Sequence, residues 1–128
     1  YLAKRSIQTL KGSEAGRAFE HFILLELIAY RGLNQKDFDI CFWRTKTGLE
    51  VDFVLDRGSI AIEIKINTHT DKIDLKGLIA FQEEHKPKAC YVVSQEARAR
   101  KIIIDENNFI FVLPWQEFLK KLWAGKVV

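Results

Sequence analysis

The chain has 128 residues, of which 48% are hydrophobic and 29% charged, and its formal net charge is +3. This length and composition are typical of one globular domain with a real core, and they argue against a disordered chain. No apolar run approaches the roughly 18 residues of a membrane span and no signal-peptide pattern is present, so we expect a cytoplasmic protein without membrane contact. The mildly basic balance permits nucleic-acid binding without requiring it.

The start of the chain differs in character from the rest. Residues 1–12 have a mixed composition and predict a linker or N-terminal extension, and residues 13–128 predict a single domain. The chain begins at Tyr1 and contains no methionine, which indicates a fragment of a longer protein or a processed product.

The first predicted helix begins after Ser13, a suitable N-cap, and runs to about Tyr30, with Gly32 ending it. At roughly 100° per residue, Glu20 falls at the edge of the apolar face. A carboxylate there either completes a site over the sheet or lies in solvent, and the helix pattern alone favours solvent. The apolar face itself consists of Phe19, Phe22, Ile23, Leu27 and Tyr30.

The stretch from Gly48 to Ile66 contains two strand-like runs joined by a short turn at residues 56–58. Neighbouring side chains of a strand point to opposite faces, so the isoleucines at positions 60, 62, 64 and 66 share a face that must be buried. Glu63 and Lys65 then lie together on the opposite face. By the same alternation, Asp52 points away from the face of Val51.

Asp52, Glu63 and Lys65 are three charged residues at the centres of otherwise apolar strands. Such charges are costly unless something holds them, and two adjacent carboxylates repel each other. A hard divalent cation with oxygen ligands removes this repulsion, and a lysine beside it could position water or stabilise developing charge. The alternative is a solvated sheet face with a Glu–Lys ion pair, and the strand pattern alone does not decide between the two.

Several further elements surround this hairpin. Phe38–Arg44 is predicted to form the preceding strand. Glu50 is either a further carboxylate of the site or, as we favour, the partner of a cation on a neighbouring strand. A helix over residues 72–84 and a buried strand, Ala89–Ser94, predict a parallel crossover after the hairpin.

The last part of the chain combines a basic cluster with strand and helix patterns. Arg98, Arg100 and Lys101 could contact a nucleic-acid backbone, and a solvated turn or short helix accounts for them equally well. Residues 102–104 and 109–113 predict the last strands, and Pro114 opens a helix, Trp115–Trp123.

An aspartate followed about ten residues later by Glu-x-Lys resembles the PD-(D/E)XK, or restriction-endonuclease-like, nuclease superfamily. The match consists of Asp52 and Glu63-Ile64-Lys65, with Val51 where the motif has proline. A wider set of motifs is similar to the domain of unknown function found C-terminal to predicted AAA+ ATPases of bacteria and archaea. These motifs are Gly16-x-x-x-Glu20, Trp43-Arg44-Thr45, Gly48-x-Glu50-Val51-Asp52-Phe53-Val54, Ile62-Glu63-Ile64-Lys65 and Val112-Leu113-Pro114-Trp115.

The resemblance implies an α/β fold with a restriction-endonuclease-like αβββαβ core, whose central mixed sheet is flanked by helices. It implies metal-dependent hydrolysis of phosphodiester bonds in nucleic acid, DNA above all, with Mg²⁺ or Mn²⁺. Asp52 and Glu63 would hold the metal together with the carbonyl of Ile64. Glu20 would support the metal or orient Lys65, and Lys65 would activate water or stabilise charge.

A second interpretation belongs to a different class of function. The domain could be a non-catalytic module that regulates an ATPase or tethers it to DNA or a protein partner. The sequence contains no G-x-x-x-x-G-K-[ST], so nucleotide hydrolysis would belong to an upstream ATPase domain. A sugar- or protein-binding α/β module with a chance Glu-x-Lys is a third interpretation, and homo-oligomer formation stays open.

Overall fold

The computed structural model describes residues 14–128, so the predicted linker at residues 1–12 and the predicted cap Ser13 lie outside the described residues. Within residues 14–128, three α-helices and six strands form a mixed α/β fold, as predicted. Within the described part, no helix is long and apolar enough to cross a membrane. In chain order the elements are α1 (Glu14–Leu33), β1 (Ile40–Arg44), β2 (Glu50–Leu55), β3 (Ile60–Ile64), a 3₁₀ turn (Lys72–Leu75), α2 (Lys76–His85), β4 (Ala89–Ser94), β5 (Arg100–Ile103), β6 (Phe109–Pro114) and α3 (Trp115–Trp123).

The strands form one mixed sheet in the order β1-β2-β3-β4-β6-β5. β1, β2 and β3 are an antiparallel meander, β3, β4 and β6 run parallel to one another, and β5 is antiparallel to β6 at the edge. The chain passes from β3 to β4 through the 3₁₀ turn and α2. The predicted parallel crossover is therefore confirmed.

Helices cover both faces of the sheet, and each face has its own core. α1 and α3 pack on one face, which we call the α1/α3 face, and α2 packs on the other. The first core includes Ile23, Leu24, Leu27, Tyr30, Phe53, Leu55, Ile60, Ile62, Tyr91, Val93, Leu113, Phe118 and Leu122. The second includes Val51, Val54, Ala61, Leu75, Leu78, Phe81, Cys90, Val92, Ile110 and Val112.

The end of α1 differs from the prediction, because the helix continues through Gly32 to Leu33. A glycine inside a helix costs only about 1 kcal/mol relative to alanine, so packing of the apolar face can carry the helix past it. The chain turns instead at Gln35, whose φ is 50°. The amide of Asn34 still donates to the carbonyl of Tyr30, and the side-chain amide of Asn34 donates to the same oxygen.

Candidate functional site

A β-bulge in β2 determines where Asp52 lies. Residues 41 and 43 of β1 pair with residues 54 and 51 of β2, so β2 uses Asp52 and Phe53 where β1 uses one residue. Such an extra residue breaks strict alternation and redirects side chains. Val51 accordingly packs in the same core as Val54, whereas strict alternation predicted opposite faces for the two. The sequence alone did not reveal this bulge.

The carboxylate of Asp52 reaches the neighbouring strand. Regular pairing of β2 with β3 runs from Leu55 opposite Ile60 to Phe53 opposite Ile62. Beyond that pair, the amide N–H of Ile64 donates to Asp52 Oδ2 over 2.8 Å. Asp52 is therefore fixed against the backbone between Glu63 and Lys65, although ten residues separate it from Glu63 in the sequence.

The predicted site residues line one cavity of about 310 Å³ between the hairpin and the start of α1. Glu20 is only 4% exposed, so the glutamate lies in the fold and not in solvent at the edge of the helix. The side chains of Glu63 and Lys65 are 13% and 28% exposed. The cavity is lined by Gly16, Arg17, Glu20, Glu50, Asp52, Glu63, Ile64, Lys65, Ile66 and Asn67.

The charged forms of the two carboxylates of the hairpin are disfavoured, which raises both pKa values. Burial raises the pKa of Asp52 to about 6, against the lowering effects of the Ile64 amide and the Lys65 ammonium. Burial, followed by repulsion from Asp52, raises the pKa of Glu63 well above its usual range. Lys65 Nζ lies 3.4 Å from Glu63 Oε2, which offsets only part of this cost. The pair therefore favours the uptake of a positive charge, either a proton or a cation.

The donor set fits a hard divalent cation. Glu63 Oε1 is buried and has no hydrogen-bond partner among the described residues, so one carboxylate oxygen remains available. Within residues 14–128, no group of three or more His, Cys, Asp or Glu side chains could hold a metal ion. The arrangement thus provides two carboxylates, which suits Mg²⁺, because that ion is usually bound by one or two carboxylates and keeps several waters.

Glu50 lies at the rim of the cavity but is engaged elsewhere. It pairs with Arg44 across β1 and β2, and the guanidinium of Arg44 donates to Glu50 Oε1 over 2.7 Å. The favoured prediction, a cation partner on a neighbouring strand, is confirmed. Arg44 is near the carboxylates in sequence, which predicts a possible phosphate contact, but its ion pair with Glu50 makes it less available for one.

Arg17 is a cavity residue that the sequence analysis missed. The helix pattern places it opposite the apolar face, yet its exposed side chain lines the cavity. The available signal was its spacing, since residues three apart on a helix are neighbours and Arg17 precedes Glu20 by three. Arg17 adds a positive charge at the mouth of the cavity.

Gly77 positions β2 and was also missed. A Cβ at this position of α2 would lie 2.1 Å from the carbonyl oxygen of Glu50. The helix can therefore approach the strand that carries Asp52 only because position 77 has no side chain. An isolated glycine within a helical pattern was the available signal.

Gln82 on α2 has a structural role. It is 7% exposed, and its Nε2 donates to the carbonyl of Phe109 over 3.0 Å, which ties α2 to β6. The helix pattern of the sequence predicts a solvated glutamine at this position, and that prediction is wrong. Gln82 belongs to α2, which packs on the opposite face of the sheet from the α1 residues that line the cavity.

Together, fold and site define a mixed α/β domain whose central hairpin presents two carboxylates and a lysine to a cavity beneath a helix. The chain belongs to the family described as Domain of unknown function (DUF4143), whose sequence model matches residues 15–118. Domains of this family are commonly C-terminal to AAA ATPases. The matched range includes all the predicted site residues. No curated protein and no solved structure matches the chain.

Proposed function

We propose that this domain hydrolyses phosphodiester bonds of nucleic acid, with DNA as the first substrate to test, at a metal-dependent site of the PD-(D/E)XK type. The observation that carries the proposal is the placement of Asp52 by the bulge and by the Ile64 amide. That placement brings two strained carboxylates and Lys65 into one cavity. An ion pair between Glu63 and Lys65 could form without Asp52. It would not require the Asp52 carboxylate to take the place of a strand carbonyl as the acceptor for the Ile64 amide.

The order of elements supports the same proposal. α1, the β1–β3 meander, the α2 crossover and β4 follow the αβββαβ order that the resemblance implies for a restriction-endonuclease-like core. Fold alone does not define function, so the proposal depends on the site.

The residues divide the work as follows. Asp52 and Glu63 would hold Mg²⁺ or Mn²⁺, with the backbone of Ile64 beside them and Glu20 as an additional buried carboxylate of the cavity. When bound, the ion would lower the pKa of a water and neutralise charge on the phosphate. The amide of Ile64 keeps Asp52 oriented, so this carboxylate needs little reorganisation to act as a ligand.

In this proposal, Lys65 acts on the phosphate group of the substrate. Its position two residues after Glu63 on an extended strand keeps both side chains together. A cation held by Asp52 and Glu63 would neutralise Glu63 and leave the ammonium of Lys65 less tied to that carboxylate. The ammonium can then orient a water or stabilise the negative charge that develops on the phosphoryl oxygens.

Cleavage of plasmid, linear duplex, single strand and four-way junction with Mn²⁺ tests this function. We expect the wild type to cut at least one substrate, and Asp52→Asn and Lys65→Ala to reduce the rate by at least about a hundredfold, the scale of losing one electrostatic contribution. Glu83→Gln removes an exposed carboxylate of α2 and is the matched control, with an unchanged rate. Cleavage that survives Lys65→Ala in a folded protein would contradict the mechanism.

The family context favours a second candidate, a non-catalytic module that regulates an AAA+ ATPase or tethers it to DNA or a partner. Domains of this family commonly follow such ATPases. This candidate predicts no cleavage of any substrate. It also predicts that substitution of Asp52 leaves binding of the partner unchanged.

A further inference from the structure

A second concave surface lies at the far end of the sheet, between α3 and the strands β5 and β6. Its cavity of about 670 Å³ is larger than the carboxylate cavity. Phe111 and Leu113 contribute the apolar lining, and Glu117 contributes one carboxylate. We call this surface the lysine groove, after the four lysines that line it: Lys101, Lys120, Lys121 and Lys126.

The lysines of the groove keep their charge available. Arg100 also lines the groove, but its guanidinium is bound by Glu96, with Nε 2.7 Å from Oε1. Among the described residues, none of the four lysines forms a salt bridge. Their combined charge exceeds that of Glu117, so the groove attracts anions.

Aromatic rings hold two of these lysines in place. Lys121 Nζ lies 4.7 Å from the ring centroid of Phe111 and 5.3 Å from that of Tyr91. Lys101 Nζ lies 4.6 Å from the centroid of Phe109 and 5.5 Å from that of Phe111. Cation–π contacts restrain an ammonium group without using its hydrogen-bond donors, so both groups remain able to bind phosphate oxygens.

A third concavity adjoins the lysine groove and neighbours the carboxylate cavity. Asn67 lines the carboxylate cavity, and its carbonyl accepts a hydrogen bond from the amide of Gln95, which lines a third concavity. Glu117 lines both that concavity and the lysine groove. In the sheet, only β4 lies between β3 and β6. These two strands are therefore about 10 Å apart.

We propose that the lysine groove binds the phosphate backbone of a single-stranded nucleic acid, and that this strand continues to the carboxylate cavity. The inference rests on the proposed function for the choice of nucleic acid over another polyanion. Regularly spaced phosphates match several lysines along one concave path, and such contacts position a strand without reading its sequence.

Equilibrium binding without metal tests the groove separately from catalysis. Fluorescence anisotropy is measured with labelled single strands of about 20 nucleotides, one of DNA and one of RNA, in EDTA and NaCl from about 50 to 200 mM. The variant Lys101→Gln/Lys121→Gln removes two groove charges. Lys72→Gln/Lys76→Gln removes two exposed charges around the 3₁₀ turn and α2 and is the charge-matched control.

We expect the groove variant to bind at least one of the two strands about tenfold more weakly than the wild type. Its salt slope, log Kd against log [NaCl], should fall by about 1.4, since each single-strand phosphate contact contributes about 0.7. The control should keep the wild-type slope. Equal losses in both variants, an unchanged groove variant, or no binding by the wild type would each overturn the proposal.

The two proposals can fail separately. If the nuclease proposal is wrong but the groove is correct, the wild type binds strands through the groove lysines and cleaves none of them. If only the groove proposal is wrong, cleavage depends on Asp52, and the affinity for the strands is unchanged by substitution of Lys101 and Lys121. Thermal unfolding of each variant confirms that the substituted proteins fold.

Discussion

At the scale of single residues, Asp52 is the key to the site. Its carboxylate replaces a regular strand pairing by accepting the Ile64 amide, and burial raises its pKa from 3.8 to about 6. A raised pKa means that the folded state binds more protons than the unfolded state between these values. Without metal, the contribution of Asp52 to stability is therefore most favourable at acid pH and is lost as the pH rises from about 4 through 6.

Asp52→Asn should therefore stabilise the metal-free protein at neutral pH. Asparagine keeps an acceptor for the Ile64 amide and removes the buried charge, so we expect a gain of about 1–3 kcal/mol in the free energy of unfolding near pH 7. The gain should shrink towards pH 4. Urea denaturation in EDTA from acid to neutral pH measures it, and a variant that is less stable than wild type at neutral pH would contradict the assignment.

Residue identities predicted which charged residues lie together better than they predicted the surroundings of those residues. Asp52, Glu63 and Lys65 could be selected from the sequence because charges in apolar strands are unusual. The burial of Glu20 could not be read from the helix wheel, which gives direction but not what packs against an edge. The prediction that Gln82 is solvated was wrong for the same reason, because its hydrogen-bond partner, the carbonyl of Phe109, is twenty-seven residues away in the sequence.

At the scale of elements, the hairpin was predicted closely and its irregularity was not. Alternation located β2 and β3 and the turn between them, because hydrophobic period and turn residues are local signals. The bulge depends on how β1 pairs with β2, which is a non-local property. It moved Val51 to the face of Val54 and fixed the direction of Asp52.

Helix α2 supports the hairpin through a close approach at Gly77. The Cβ of an alanine would meet the Glu50 carbonyl, part of a strand backbone that cannot move freely. We expect Gly77→Ala to destabilise the fold by about 1–3 kcal/mol, the usual cost of overpacking. It should also weaken metal binding, because the shifted strand carries Asp52.

The matched control is Gly32→Ala in α1. Nothing lies within 4 Å of a Cβ at this position, and the glycine is helical without a positive φ. Alanine there should stabilise the fold by about 0.5–1 kcal/mol, through the lower entropy of its unfolded chain. Thermal or urea unfolding of both variants checks the contrast, and similar effects of the two substitutions would argue against the close approach.

At the scale of the whole molecule, the sheet connects two kinds of surface. The meander end carries the carboxylate cavity, and the β6–β5 end carries the lysine groove. Sequence patterns predicted the crossover from β3 to β4, since a helix between two strands commonly joins parallel neighbours. They did not predict that β6 inserts between β4 and β5, because local periodicity carries no information on strand order.

The C-terminal helix completes the α1/α3 face. The hydroxyl of Tyr30 donates to the carbonyl of Val128 over 2.8 Å, and Trp123 Nε1 donates to Glu26 Oε1 over 3.1 Å. α1 thus contributes Glu20 to the carboxylate cavity at one end and contacts α3 and the last residue at the other. α3 also carries Lys120 and Lys121 of the groove. The packing of α1 against α3 therefore links the elements that line the cavity and the groove.

Isothermal titration of Mn²⁺ into the wild type and Asp52→Asn, with Glu83→Gln as control, tests most directly whether the two carboxylates form a metal site. We predict one ion per wild-type chain, release of protons on binding, and an affinity that falls as the pH drops below about 6, where Asp52 holds its proton. Asp52→Asn should weaken binding at least about tenfold, the lower end of the loss expected when the coordination of a metal site is disturbed. Equal binding by wild type and Asp52→Asn, or no binding by either, would contradict the account.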